Sequence, residues 1–154
     1  MGQKVVIVNE KDEVLGVEER EKAHQGEGLL HRAVATFLFN QKGELLITKR
    51  SKFKKLWPCY WDASCCTHNR EGEDYVKTGE RRLPEELGIK CKLKFLLKFK
   101  YLAKYKKIGS ENEMCALLVG KLSNSQEIKP KIYSFKIRFY TSLLKINIKT
   151  WAKK

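Results

Sequence analysis

The stretch 57–89 limits the possible folds of this 154-residue chain more than any other part, because it joins a cysteine and histidine cluster to a helix with a clear end. Cys65, Cys66 and His68 put two thiols and an imidazole near one point, without the paired spacing of a zinc ribbon. A polar run follows and reaches Gly88, a position typical of the glycine that ends a helix. The stretch predicts a loop followed by a helix of about three to four turns.

The predicted helix carries opposite charges four residues apart on a shared face. The pairs are Arg81 with Glu85 and Arg82 with Glu86. They form either a solvated, salt-bridged face or a set of groups that jointly hold a metal-bound phosphate. Gly79 in the middle and Pro84 near the end both weaken helices, so poor local order is expected there.

Apolar and alternating runs predict several strands around this helix. Two hairpins are expected, one from Lys4–Val8 with Val14–Val17 and one from Arg32–Phe39 with Glu44–Lys49. Cys91–Tyr105 alternates lysine with leucine and aromatic residues, as a strand with one wet face does. Gly109 and Ser110 predict a turn into a further strand. Pattern alone therefore indicates a mixed α/β protein with hairpins.

Histidines and a pair of glutamates are the candidate ligands outside the cysteine cluster. His24 and His31 lie on or beside predicted loops, where a lone histidine is usually structural. Glu111 and Glu113 stand two apart at a strand start, so they project from one face and repel unless a cation or proton lies between them. They are either a metal or acid/base site or exposed glutamates of an edge strand.

A basic segment, residues 49–55, leads directly into the stretch 57–89. The simplest interpretation of this segment is a solvated loop without a binding role. Because it enters the cysteine and histidine cluster, it favours an anion site, with Arg50 and Lys54 as the best candidates.

Length and composition predict one soluble domain over residues 1–154, with its core at about 5–122 and a basic tail at 123–154. Hydrophobic residues make up 42% of the chain, and no apolar run approaches the length that spans a bilayer. The first residues lack a signal-peptide pattern, so a cytoplasmic protein without membrane attachment is expected. A monomer is expected as well.

The net charge of +14 lies entirely in the second part of the chain. Residues 1–89 carry equal numbers of basic and acidic side chains, and residues 90–154 carry the whole excess. The excess is nearly all lysine and no recognition motif accompanies it, so a nucleic-acid partner is not expected.

Five cysteines, an odd number with two adjacent, predict reduced thiols rather than a disulfide framework. Most free cysteines are small buried hydrophobes.

The run GEDYVKTGERRLPEELGI resembles a modified Nudix box. The matching residues are Glu73, Arg81, Leu83, Glu85, Glu86, Gly88 and Ile89. Two positions depart from the pattern, since Thr67 replaces the first glycine and Arg82 replaces a box glutamate. The loss of that carboxylate argues against ordinary Nudix hydrolysis.

The motifs YWDASCCTH before the box and ENEMC after it make the chain similar to the isopentenyl diphosphate isomerases of the Nudix-fold kind. The resemblance runs from about Val5 to about Leu122. It implies an α/β/α sandwich with a mixed sheet and few helices. The implied reaction moves the double bond of isopentenyl diphosphate to give dimethylallyl diphosphate through a tertiary carbocation.

The resemblance also implies a set of site residues. The implied metal ligands for Mn²⁺, Mg²⁺ or Zn²⁺ are His24, His31, His68, Glu111 and Glu113. Glu86 would hold a second Mg²⁺ with the substrate diphosphate. The implied phosphate contacts are Arg20, Arg50, Lys54 and Arg82. Cys66 and Glu113 would be the acid/base pair.

An aromatic face would stabilise the carbocation. Trp57, Trp61 and Tyr101 are candidates, and Tyr101 is favoured by its position before the Glu-x-Glu motif. Cys66 is expected to be the reactive thiol, because it stands two residues before His68, whose bound metal would favour the thiolate.

The tail looks shortened relative to such isomerases, with alternating Ile and Phe and a possible short helix. Trp151 is a candidate remnant of an aromatic cover, and a pocket left open would slow turnover more than it weakens binding. Two alternatives remain open: a Nudix pyrophosphohydrolase, and a truncated, non-catalytic basic binding protein.

Overall fold

The computed structural model describes residues 2–123, 125–130 and 134–140. The helices are α1 Arg20–Ala23 and α2 Tyr75–Glu86. The strands are β1 Lys4–Val8, β2 Val14–Glu19, β3 His31–Phe39, β4 Leu45–Arg50, β5 Trp61–Asp62, β6 Cys65–His68, β7 Leu93–Tyr105, β8 Gly109–Lys121 and β9 Ser134–Tyr140. Trp151 and the rest of the expected tail beyond residue 140 lie outside the described residues.

The strands form one mixed sheet in which β3 is central. β3 pairs in parallel with β8 along its whole length and antiparallel with β6. β7 pairs with β8 as a long antiparallel hairpin, and β1 with β2 as a short one. The mixed sheet with few helices confirms the predicted fold class.

The predicted hairpin between β3 and β4 is wrong, because the two strands do not stay paired beyond the turn that joins them. Only Phe39 and Leu45 pair between these two strands. β3 diverges because β6 and β8 take its neighbouring positions, while β4 pairs with β5 and β9. Both strands are largely buried, and such strands pair with whichever neighbour completes the core.

The predicted turn at Gly109 and Ser110 is also displaced. The chain turns at residues 106–108, where Ile108 N donates to Tyr105 O at 3.1 Å. Gly109 and Ser110 are instead the buried first residues of β8. This earlier turn makes the glutamates at 111 and 113 members of a paired strand.

Helix α2 begins at an aspartate cap and lies against the sheet. Asp74 accepts a hydrogen bond from Lys77 N at 2.8 Å. Leu83 and Leu87 are fully buried and pack into the core beside Leu118 of β8. The opposite charges on its face form ion pairs, with Arg81 to Glu85 at 3.1 Å and Arg82 to Glu86 at 2.9 Å. Apolar packing and capping together fix this helix on the sheet.

Gly79 does not interrupt α2, contrary to expectation. A Cβ at this position would lie 2.6 Å from Leu118 Cδ1 and 2.7 Å from Leu93 Cδ1. The glycine therefore allows the helix to approach the sheet closely. Pro84 also lies within the continuous helix.

No helix of the described residues is long and apolar enough to cross a bilayer.

Candidate active site

Backbone pairing brings three of the predicted ligands together. His31 at the start of β3 pairs in register with Glu113 of β8. His68 at the end of β6 lies opposite Ala33, two residues along β3. Residues far apart in sequence therefore meet at one end of the central strands.

Three histidines and one glutamate form a compact cluster at this point. Its members are His24, His31, His68 and Glu113, and their potential ligand atoms all lie within 4.8 Å of one another. The ring centroids are 4.7 to 5.0 Å apart. Glu113 Oε1 lies 3.3 Å from His68 Nε2 and 3.7 Å from His31 Nε2.

The hydrogen bonds of two rings leave their Nε2 atoms able to bind a metal. His24 Nδ1 donates to Arg20 O at 2.7 Å, and His31 Nδ1 donates to Leu29 O at 2.7 Å. A ring that donates through Nδ1 presents the lone pair of a neutral imidazole at Nε2. Among the described residues, the buried Nε2 of His31 has no hydrogen-bond partner. The donor set and this orphaned atom fit a divalent cation.

Burial keeps two of the cluster's histidines in the form that binds metal. Burial lowers the pKa of His24 to about 4, and neighbouring His68 adds to the effect. Burial likewise lowers the pKa of His68. Burial alone would raise the pKa of Glu113, but the neighbouring imidazoles of His31 and His68 outweigh it and lower that pKa. Neutral rings at His24 and His68 and an ionised carboxylate at Glu113 are the protonation states that metal ligands need.

Glu111 lies beside the cluster rather than within it. It projects from the same face of β8 as Glu113, as its spacing predicts. Burial, with the charge of Glu113, raises the pKa of Glu111 to about 7. Tyr101 OH donates to Glu113 Oε2 at 2.6 Å and lies 3.2 Å from Glu111 Oε2, so it bridges the two carboxyl groups.

Three of the predicted phosphate contacts line one cavity. The cavity has a volume of about 260 Å³ and is lined by Arg20, Lys54 and Arg82 together with Gly2, Gln3, Glu19 and Glu21. Burial lowers the pKa of Lys54, while Glu86 opposes the shift. Arg20 also accepts the hydrogen bond of His24, which connects the cavity to the histidine cluster.

Arg50, the fourth predicted phosphate contact, does not line that cavity. Its Nη1 donates to Asp62 Oδ2 at 2.8 Å, and its other nitrogens donate to Trp57 O and Leu56 O. Its Nη2 lies 3.8 Å from Glu111 Oε1. These bonds hold the loop between β4 and β5 against the carboxyl groups of the site.

Glu86 is buried under the guanidinium that replaces the box glutamate. Arg82 Nε donates to Glu86 Oε2 at 2.9 Å, and Cys65 Sγ donates to the same oxygen at 3.5 Å. Arg82 also lines the cavity. The carboxylate expected to hold a second Mg²⁺ thus faces a cation from its own helix.

Cys66 lies in surroundings that oppose a thiolate. Burial, then the charge of Asp62, raises the pKa of the Cys66 thiol. Its Sγ donates to Asp62 Oδ1 at 3.4 Å. The expected thiolate would therefore need a bound cation to overcome this environment. Cys59 is exposed, and its accessibility favours it over Cys66 as the first site of alkylation.

Asp62 is a site residue that sequence reasoning missed. It bonds both the guanidinium of Arg50 and the thiol of Cys66. Its position in YWDASCCTH, four residues before Cys66, was the available signal.

Comparison with known proteins gives two kinds of similarity. Residues 29–141 match the NUDIX domain family. The chain is 42% identical over 119 residues to Isopentenyl-diphosphate Delta-isomerase 1 of Photorhabdus laumondii, covering 76% of this chain and 68% of that protein. It is 37% identical to Isopentenyl-diphosphate Delta-isomerase of Halobacterium salinarum, covering 80% of this chain and 60% of that protein. The chain thus spans about two thirds of the length of these relatives.

Solved structures of similar fold are more distant in sequence. A Deinococcus radiodurans protein superimposes with a TM-score of 0.71 at 22% identity, over 99% of this chain and 91% of that one. A MutT protein of Methanosarcina mazei gives a TM-score of 0.62 at 17% identity, over 73% of this chain and 77% of that one. At these identities the two structures show the fold alone.

Proposed function

Because this chain belongs to the NUDIX family and, within it, to the isopentenyl-diphosphate Delta-isomerases, we propose that it converts isopentenyl diphosphate to dimethylallyl diphosphate. The observation that carries the proposal is the convergence of three histidine rings and Glu113 beside a cavity lined by cationic side chains. Such a site can hold a diphosphate and transfer protons near it.

The histidine cluster is the proposed metal site, with His24, His31, His68 and Glu113 as ligands and Glu111 beside them. A divalent ion bound there supplies positive charge that orients these side chains and lowers their proton affinity. Mn²⁺, Mg²⁺ and Zn²⁺ all suit mixed imidazole and carboxylate ligands. Glu86 is the proposed contact for the Mg²⁺ that accompanies the substrate.

Cys66 and Glu113 are the proposed proton-transfer groups. One of them adds a proton to the terminal carbon of the double bond, which leaves a tertiary cation. The other takes a proton from the carbon between that cation and the CH₂–O group, so the double bond re-forms there. Tyr101 fixes the orientation of Glu113 through the 2.6 Å hydrogen bond. The number of protons on the substrate does not change.

Among the aromatic candidates, Tyr101 is the residue proposed to stabilise the cation. Its hydroxyl contacts both carboxyl groups of the site. Trp61 instead packs beneath Lys49 and Arg138, whose charges disfavour a cationic intermediate. The ring of Trp57 packs against Tyr105, 5.0 Å between centroids.

Arg20, Lys54 and Arg82 are the proposed diphosphate contacts, since they share one cavity. Arg50 is proposed to act indirectly, by holding Asp62 and the segment around Trp57. A Nudix pyrophosphohydrolase is disfavoured because the box glutamate is replaced by Arg82, which is paired with Glu86. The monomeric state and the cytoplasmic location remain predictions from the sequence.

The test is a turnover assay of the purified chain with isopentenyl diphosphate and Mg²⁺, with the product identified by NMR. Cys66→Ala and Glu113→Gln should each lower kcat by at least about 10²-fold, because each removes a proton-transfer group. Cys59→Ala, which changes an exposed thiol, is the matched control and should leave kcat unchanged. Lys54→Ala should mainly raise KM.

Release of phosphate or diphosphate without dimethylallyl diphosphate would instead indicate a hydrolase. Full turnover in both Cys66→Ala and Glu113→Gln would contradict the assignment of the proton-transfer groups.

A further inference from the structure

One candidate ligand lies outside the strands that position the others. His31, His68 and Glu113 belong to β3, β6 and β8, whose pairing fixes their backbones. His24 follows the last residue of α1 and begins the turn segment 24–28. The position of its ring therefore depends on whatever holds that segment.

Two side chains at the start of β8 hold the turn segment 24–28. Ser110 Oγ donates to Gly26 O at 2.6 Å, and Asn112 Nδ2 donates to Gly28 O at 3.0 Å. The backbone N–H of Ser110 also donates to His24 O at 3.0 Å. β8 thus contacts the beginning, middle and end of the segment.

The two glycines at the contact allow the backbones to meet. A Cβ at Gly109 would overlap the carbonyl oxygen of His24. Gly28 has φ +74°, and a Cβ there would lie 3.3 Å from Ser110 O and from the Cβ of Asn112. The turn segment is therefore fitted closely to the face of β8 that carries Ser110 and Asn112.

Alternation along β8 gives its first residues two separate tasks. Glu111 and Glu113 project from one face toward Tyr101, while Ser110 and Asn112 project from the other toward the turn segment. The strand that carries Glu113 therefore also holds the turn segment that carries His24, which limits the movement of one ligand relative to the other.

We propose that Ser110 and Asn112 are positioning residues that fix the His24 ring against the other three ligands, and that they set metal affinity through His24. The inference rests on the proposed metal site and adds the residues that complete it. Groups that orient metal ligands typically change affinity by about 10- to 100-fold when removed.

The experiment is a double-mutant cycle in which Mn²⁺ affinity is measured by electron paramagnetic resonance. Asn112→Ala should weaken Mn²⁺ binding about 10-fold or more in the full-length chain. In the His24→Ala background, Asn112→Ala should cause no further loss, because the ligand on which it acts is absent. The visible spectrum of the Co²⁺-loaded protein should change in Asn112→Ala, since the ligand geometry changes.

Asn40→Ala is the matched control. Asn40 also bonds a turn through its side chain, to Lys42 N and Glu44 N, but at the opposite end of β3 from the cluster. If loss of stability alone lowered Mn²⁺ affinity, Asn40→Ala would lower it too. We expect the Mn²⁺ affinity of Asn40→Ala to equal that of the wild type. Ser110→Ala removes the other side-chain bond to the same turn segment and provides a second variant.

Equal losses on Asn112→Ala in both backgrounds, or unchanged Mn²⁺ affinity in both Asn112→Ala and Ser110→Ala, would overturn the inference. So would a wild-type chain that binds no Mn²⁺. If the cycle behaves as expected while isopentenyl diphosphate is not isomerised, the proposed function fails and the positioning role stands. If isomerisation occurs and the losses of Mn²⁺ affinity in the two single variants are additive, the proposed function stands and the positioning role fails.

Discussion

Asp12 joins side chains from three distant parts of the chain. It is 8% exposed and has φ +65° in the turn between β1 and β2. Its carboxylate accepts hydrogen bonds from Arg32 Nε at 2.7 Å, Tyr75 OH at 3.0 Å and Lys98 Nζ at 2.5 Å. The sequence predicted only the connection of a hairpin at this point, because none of these partners lies near Asp12 in the sequence.

Asp12→Asn should lower the free energy of unfolding by about 2 kcal/mol at pH 7, since charge-assisted hydrogen bonds are lost. Asparagine preserves the side-chain size and tolerates positive φ, so charge is the main change. Burial alone would raise the pKa of Asp12, but hydrogen bonds from Lys98, Arg32 and Tyr75 outweigh it and lower that pKa. The stabilisation is therefore complete above about pH 4 and is lost as the pH falls through the folded-state pKa.

Urea unfolding at pH 7 and at pH 3 measures this difference. The difference in the free energy of unfolding between wild type and Asp12→Asn should be smaller at pH 3 than at pH 7. Glu13→Gln changes the neighbouring exposed carboxylate and should have little effect at either pH. A gap of the same size at both pH values would rule out the charge of Asp12 as its source.

Among the helices and strands, sequence patterns predicted the features that residues close together in the sequence determine. The bounds of β1, the helix ending before Gly88 and the ion pairs on α2 followed from spacing of two, three or four residues. The parallel pairing of β3 with β8 could not, because it joins residues 31–39 to 113–121. The resemblance to a known family supplied candidate site residues that periodicity alone left open.

Gly79 shows how packing between elements overrides a local preference. Alanine is a better helix former than glycine by about 1 kcal/mol. In Gly79→Ala, however, the new methyl group would press on Leu118 and Leu93 in the core, and overpacking typically costs about 1–3 kcal/mol. We expect a net loss of about 1 kcal/mol in the free energy of unfolding, measured by urea denaturation.

Lys77→Ala, at an exposed position of α2, is the control for this prediction and should leave stability nearly unchanged. A Gly79→Ala protein more stable than wild type would mean that the leucines move aside without cost.

The basic second part of the chain and its neutral first part are joined by ion pairs. Three lysines of β7 pair with acidic residues from the electrically neutral first part of the chain. The pairs are Lys98 with Asp12, Lys100 with Glu10 and Lys104 with Glu27. These contacts use few of the basic side chains, so most of the +14 excess remains as mutual repulsion.

Raising the ionic strength from about 0.01 M to about 0.15 M should therefore stabilise the protein. The screening length falls from about 30 Å to about 8 Å, which reduces repulsion between separated charges. An increase in Tm of about 2–4 °C, equivalent to about 1 kcal/mol, is expected in thermal unfolding. Lys94→Glu with Lys107→Glu, both at exposed positions, should reduce the increase. A lower Tm at higher salt would show that attractive pairs dominate instead.

The parallel pairing of β3 with β8 has a consequence for how the protein is made. Because a ribosome releases the chain from its N-terminus, His24, His31 and His68 emerge long before Glu113. Pairing of such distant segments is slow, since a long loop must close before any contact stabilises it. The four ligands therefore come together only once residue 113 has been synthesised, and a metal ion that needs all four would bind after β8 has paired with β3.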